Sequence, residues 1–232
     1  MKLFNRPPTH GIPDRADIHR AGTQVFHRAA YFGPLLASYQ GMRREEYCGL
    51  TVQDIVQDNG DHPYIHVCFN TIRRLKNLQS VRNLALHPEL IRLNFLGYVD
   101  AIKQLGYERL FPDLHSPSTK SPSGDRLYDE LLPSFRQCDF TPHQSRHFFG
   151  NELKQKRVSA EFRADLLGHG GSSETTERYC SPSEIANQLA DLGKLSVVTS
   201  HLASKPIRLV PWVEQKQIAP WSRVRRRSDV SA

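Results

Sequence analysis

The sequence has no CxxC pair, and its four cysteines, Cys48, Cys68, Cys138 and Cys180, are scattered along the chain. That pattern argues against a disulfide framework or a zinc site and fits a reducing compartment. No apolar run approaches the roughly 20 residues that a membrane-crossing helix needs. The opening stretch, MKLFNRPPTHGIPDR, lacks the apolar segment of a secretory signal. Internal repeats, carboxylate clusters and Cys/His sites are also missing. The expectation is a soluble, cytoplasmic protein with no metal or other cofactor.

What is present is ordinary globular material. The chain has 232 residues, 38% hydrophobic and 24% charged, with 11 phenylalanines and 8 tyrosines, enough for one substantial core. The formal net charge of +7 favours polyanionic partners, of which nucleic acid is the commonest.

Periodicity divides the chain into three parts. Residues 1–15 carry three prolines and read as a poorly structured leader. A mainly helical domain with a small antiparallel sheet is expected over 16–195, and a basic tail over 196–232. Val25, Phe26, Ala29, Phe32, Leu35 and Leu36 recur at helical spacing, and Pro34 is expected to kink or divide that helix. MRREEYCGL predicts a second short helix. VQDIV, PYIHVCF and SVRNLAL predict three strands, the first two separated by the turn signal DNGDHP. The stretch from Pro88 to Gly106 predicts one amphipathic helix. Three more helices are expected near 126–138, 142–157 and 159–168. SPSEIANQLADLGKL, with its Ser-Pro-Ser-Glu capping box, predicts the last.

Several short clusters could carry chemistry. In TPHQSRHFF, His143 and Arg146 stand at i and i+3 and share a helix face. His147 stands at i+4 from His143, a metal-pair spacing with no acidic residue or cysteine beside it to complete a site. In QGMRREEYCGL, Arg43 follows a glycine at a gap between two helices, and Glu46 is placed to pair with Arg43 or another arginine. The connector TIRRLKNLQSVRNLAL brings Arg73, Arg74, Lys76 and Arg82 to a hairpin shaped to enter a nucleic-acid groove. LGHGGSSETTERYC, 167–180, runs from His169 to Tyr179. Each cluster taken singly also fits a solvated face or, for Tyr179, a core tyrosine.

Their order is more specific. QGMRREEYCGL, Lys76, HQSRHFFG, LLGHGG and TERY follow one another as five dispersed boxes, and the stretch from about 30 to 195 resembles the catalytic domain of the tyrosine recombinase (phage integrase) family. Gln144 and Ser145 depart from the residues usual between the histidine and arginine of that pattern. Ala85 stands where a proline is common, and the hairpin lysine could be placed one residue away.

The resemblance implies a site-specific recombinase in which Arg43, Lys76, His143, Arg146 and His169 surround one DNA phosphate and Tyr179 is the nucleophile. Arginine forks suit a phosphodiester gaining negative charge. His143 would assist proton removal, and Lys76 would protonate the departing 5′ oxygen. The 3′-phosphotyrosyl link would then let a second DNA end reverse the step, the basis of DNA integration or excision by a mobile element. Arg73, Arg74 and Arg82 would contact DNA, and the assembly would be a homotetramer on double-stranded DNA. With only about 30 residues before the resembling stretch, the family's usual N-terminal core-binding domain is expected to be absent. That leaves two alternatives: a catalytically silent DNA-binding module, or an activity like that of a type IB topoisomerase.

Overall fold

A computed structural model of the chain describes residues 24–57, 62–117, 122–139, 141–169 and 184–222. The expected leader, 1–15, and the final basic run, 223–232, lie outside them. The architecture is mainly helical with a small antiparallel sheet, in agreement with the sequence pattern. Among the described residues no helix is long and apolar enough to cross a membrane.

The centre of the core is α1, Ala29–Tyr39, every residue of which is buried. Its sequence, AAYFGPLLASY, is apolar on all sides, and a helix of that kind can only be stable when surrounded. Pro34 does not divide it; the helix runs through. Phe32 packs edge-on against Phe95 at 5.1 Å, and the Tyr39 hydroxyl meets Thr199 Oγ1 at 2.7 Å. A short helix, α2 (Arg44–Cys48), follows after the turn at Gly41.

The sheet has the order β1 (Ile55–Val56), β2 (Tyr64–Val67), β3 (Arg82–Ala85), with both pairs antiparallel. Ile65, Val67 and Leu84 point into the core, whereas His66 and Asn83 face each other on the outer side at 2.6 Å. The outer edge of β3 is covered by α8 (Ile185–Leu192). Gln188 accepts from Ala85 N at 2.9 Å and donates to Asn83 O at 3.0 Å, so one side-chain amide stands in for a neighbouring strand.

The helix expected from Pro88 to Gly106 is two helices, α3 (Pro88–Arg92) and α4 (Phe95–Gln104). They are broken at Asn94, whose φ of 64° is left-handed, a conformation asparagine tolerates better than most residues. Then come α5 (Ser123–Cys138), α6 (Pro142–Gln155) and α7 (Ala160–Leu167). The boundary expected at 195 is not where packing ends. Leu202, Leu209, Val210 and Val213 are buried, the last in a short helix α9 (Pro211–Glu214). Arg208 O accepts from His27 N at 2.8 Å, and Arg92 donates to Leu202 O at 2.8 Å. Residues 196–222 are therefore part of the same core.

Two histidines are buried in that core in neutral form. His87 caps α3, its Nδ1 accepting from Glu89 N at 3.0 Å, and its Nε2 meets Leu192 O at 3.2 Å. His27 Nδ1 accepts from Arg208 N at 3.2 Å. Burial lowers the pKa of each from 6.5 to about 4. Below pH 6.5 the unfolded chain binds these two protons and the folded chain does not, so stability is complete above that pH and drains as pH falls toward 4. At about 1.4 kcal/mol for each tenfold in proton affinity, the loss amounts to about 3 kcal/mol per histidine. Urea unfolding at pH 7.5 and pH 4.5 should show a clear fall in midpoint between the two, before most carboxylates titrate. An unchanged midpoint would contradict the burial of neutral imidazoles.

Candidate active site

Three arginines meet at the end of α7, where the last carbonyls of a helix have no partner within it. Leu166 O accepts from Arg82 Nε at 2.9 Å, Leu167 O from Arg146 Nη2, and Gly168 O from Arg43 Nη2 at 3.2 Å. Cations suit this position because the C-terminal end of a helix carries partial negative charge. Gly168 ends the helix at a φ of 59°, a left-handed conformation that favours glycine, and a Cβ there would lie 2.6 Å from Arg82 Nη1 and displace that guanidinium. The chain leaving this cap carries His169 to within 2.8 Å of Arg146.

Glu46 organises the arginines from below. It is the third residue of α2 and reaches back to its N-cap, accepting from Arg43 N at 2.8 Å and Arg43 Nη1 at 2.7 Å. Arg82 Nη2 donates to the same carboxylate at 2.9 Å and Arg82 Nη1 to Ser80 O at 2.8 Å. Burial by itself would push the Glu46 pKa up. The Arg82 charge and the hydrogen bonds from Arg82 and Arg43 outweigh it and hold the carboxyl below its ordinary range.

Arg146 comes from α6, whose start is fixed by a capping box between Thr141 and Gln144, with Pro142 in the first turn. Its Nη1 donates to Gly41 O at 2.6 Å. Gly41 has a φ of 59°, and a Cβ there would lie 2.4 Å from the Phe149 ring, so only glycine lets the turn after α1 come this close to α6. Arg146 is 7% exposed and has no carboxylate partner among the described residues. Burial, and after it the positive charge of Arg43, lowers its pKa to about 10. His169 is also lowered, by burial first and then by Arg146, Arg43 and Arg82. A guanidinium can only donate, so His169 Nε2 is the acceptor in their contact and Nδ1 carries the proton.

These side chains open onto a cavity of about 720 Å³, lined by Arg43, Lys76, His143, Arg146 and His169, with Glu46 at its base. Each guanidinium has five N–H donors. Among the described residues, Arg43 keeps its Nε–H and one Nη2–H free, and Arg146 its Nε–H and one Nη1–H. His143 is exposed at the rim, edge-on to His147 at 4.4 Å. Lys76 is exposed on the connector between β2 and β3. Among the described residues no three His, Cys, Asp or Glu side chains are grouped to hold a metal ion. A site with excess positive charge, open N–H forks and a neutral imidazole is built to take an oxyanion.

Of the residues singled out from the sequence, Tyr179 lies outside the described residues. The three hairpin arginines do not behave alike. Arg74 is exposed and lines the cavity. Arg73 and Arg82 depart from the expectation of surface contacts, being 3% and 8% exposed. Arg73 donates to Cys68 O and Glu46 O and pairs with Asp54 at 3.2 Å, which ties the connector to the core. Sequence reasoning also missed Tyr128, a cavity residue on α5 beneath the Arg44 guanidinium at 5.5 Å, which no motif marks. The Thr141 capping box, by contrast, stood in the sequence as T-P-H-Q.

A family model described as the phage integrase family matches residues 19–184. No curated protein and no solved structure matches the chain.

Replacing Glu46 by glutamine would leave the buried Arg82 without its counterion. Removing one partner of a buried pair costs about 3 kcal/mol or more, so Glu46→Gln should lower unfolding stability by about that amount at pH 7.5. Equal stability of variant and parent in urea titrations would show that Glu46 is not the hub of this cluster.

Proposed function

The chain belongs to the phage integrase family, and on that premise we propose that it is a site-specific DNA recombinase working through a 3′-phosphotyrosyl intermediate. The observation that carries this reading is the convergence of Arg43, Arg146, His143, His169 and Lys76 on one cavity, with the buried Glu46 carboxylate shared by Arg43 and Arg82. Arg43 and Arg146 bind the non-bridging oxygens of the scissile phosphate with their free N–H groups, in a partly buried site where such bonds are strong. His169, protonated on Nδ1, donates a further hydrogen bond to that phosphate.

The phenolic oxygen of Tyr179 attacks phosphorus, and the bond from phosphorus to the 5′ oxygen breaks. The phenol proton passes to His143, and Lys76 gives a proton to the departing 5′ oxygen. One phosphodiester is exchanged for another, so the 5′ hydroxyl of a second DNA end reverses the step without ATP. Four copies on two DNA sites would complete strand exchange.

The wild-type chain, incubated with a pool of random-sequence nicked duplexes, should form an SDS-resistant protein–DNA adduct that Tyr179→Phe does not form. An adduct persisting in Tyr179→Phe would move the nucleophile elsewhere, and no adduct from either protein would sink the recombinase reading. Arg146→Gln should slow adduct formation by about a hundredfold or more, the range expected for losing one donor to a developing oxyanion. An unchanged rate would remove Arg146 from the phosphate site.

A further inference from the structure

A second cavity, of about 540 Å³, adjoins the first, and Arg74 and Glu45 line both. Arg109, from the loop after α4, and His115 stand on its other side. Arg74 and Arg109 have no hydrogen bond or ion pair among the described residues, although Arg109 is half-buried. The other charged groups here are already engaged. Glu45 meets Arg44 Nε at 3.4 Å and accepts from Gly124 N at 3.3 Å, and Arg73 is spent on Asp54 and backbone carbonyls. Burial lowers the pKa of Arg109, and burial followed by the Arg109 charge lowers that of His115. The carboxylate nearest to Arg109 in sequence, Glu108, opposes the Arg109 shift but accepts from Thr71 Oγ1 at 2.7 Å and forms no ion pair with Arg109. Holding a guanidinium partly out of water without an ion pair is costly, and a bound anion removes the cost.

We propose that this second cavity is a subsite for another backbone phosphate of the DNA held in the first, with Arg74 and Arg109 as its two guanidinium ligands. The inference rests on the DNA-rejoining reading above. A polymeric anion fits better than a free one because the two cavities share a wall, and Arg74 faces both. Two phosphates of one duplex held at once would fix the direction in which the strand crosses the site, a task that neither cavity performs alone. Phosphate contacts of this kind set register and orientation without reading base sequence.

The test is the salt dependence of binding of the full chain to a mixed-sequence duplex of about 30 base pairs, since each phosphate contact contributes about 0.9 to the slope of log affinity against log salt. Arg109→Gln and Arg74→Gln should each lower that slope by about 1, so that between about 50 and 200 mM salt the wild-type affinity falls about 3.5-fold further than the variant's. Arg208→Gln removes an exposed arginine that lines neither cavity and should leave the slope unchanged. Arg74 is exposed, so its variant decides the matter should Arg109→Gln fail to fold. A wild-type slope retained by the cavity variants, or an equal fall in Arg208→Gln, overturns the subsite while leaving the recombinase reading intact. Failure of the wild-type chain to bind duplex overturns both.

Discussion

One buried carboxylate among three guanidiniums sets the terms for the whole site. Glu46 neutralises part of the charge of Arg43 and Arg82 and leaves Arg146 with no acidic partner. A second carboxylate would make the cluster self-sufficient. With none, the arginines would repel one another and favour solvent. A single carboxylate makes the cluster foldable and leaves it short of negative charge, a deficit that a phosphate is suited to fill. Burial first, and after it the surplus of neighbouring positive charge, lowers the pKa of Arg146 and of His169.

The backbone completes what the carboxylate begins. Three successive carbonyls at the end of α7 take one arginine each, so arginines from other elements satisfy the orphan acceptors of the helix terminus and are aimed by them. The two left-handed glycines, Gly41 and Gly168, allow the approach: one offers its carbonyl to Arg146, the other to Arg43. Arg73 anchors the connector that carries Arg74 and Lys76 at its exposed positions. Buried arginines therefore serve as framework, and exposed ones on the same connector remain available to ligand.

The chain leaving the site is tied down on the far side of 170–183. His169 is held by Arg146 at one end, and at the other α8 is fixed to the edge of β3 by the Gln188 amide. Family membership and this local geometry are the two supports of the proposed DNA strand cleavage and transfer. The fold supplies the framework: a cavity lined by charged side chains, several of them tied to the core through Glu46 and the end of α7, with residues 196–222 closing that core around α1.

Much of this was legible in the sequence, because the signals concerned are local. Hydrophobic period, capping residues and turn glycines act within a few positions, and they marked the helices, the hairpin sheet and the order of the boxes around Arg43, His143, Arg146 and His169. The misreadings arose where a local pattern met a longer-range demand. An amphipathic stretch from Pro88 to Gly106 looked continuous because its apolar period survives the break at Asn94. A basic hairpin looked uniformly solvent-facing because nothing nearby in sequence reveals that Arg82 will find Glu46, 36 positions away, or that Arg73 will turn inward to Asp54. By itself the sequence determined which residue types could handle a phosphate and in what order they occur. Only the tertiary structure decided which arginines are framework and which are free, since that depends on where buried carboxylates and unpaired carbonyls come to lie once distant segments pack together.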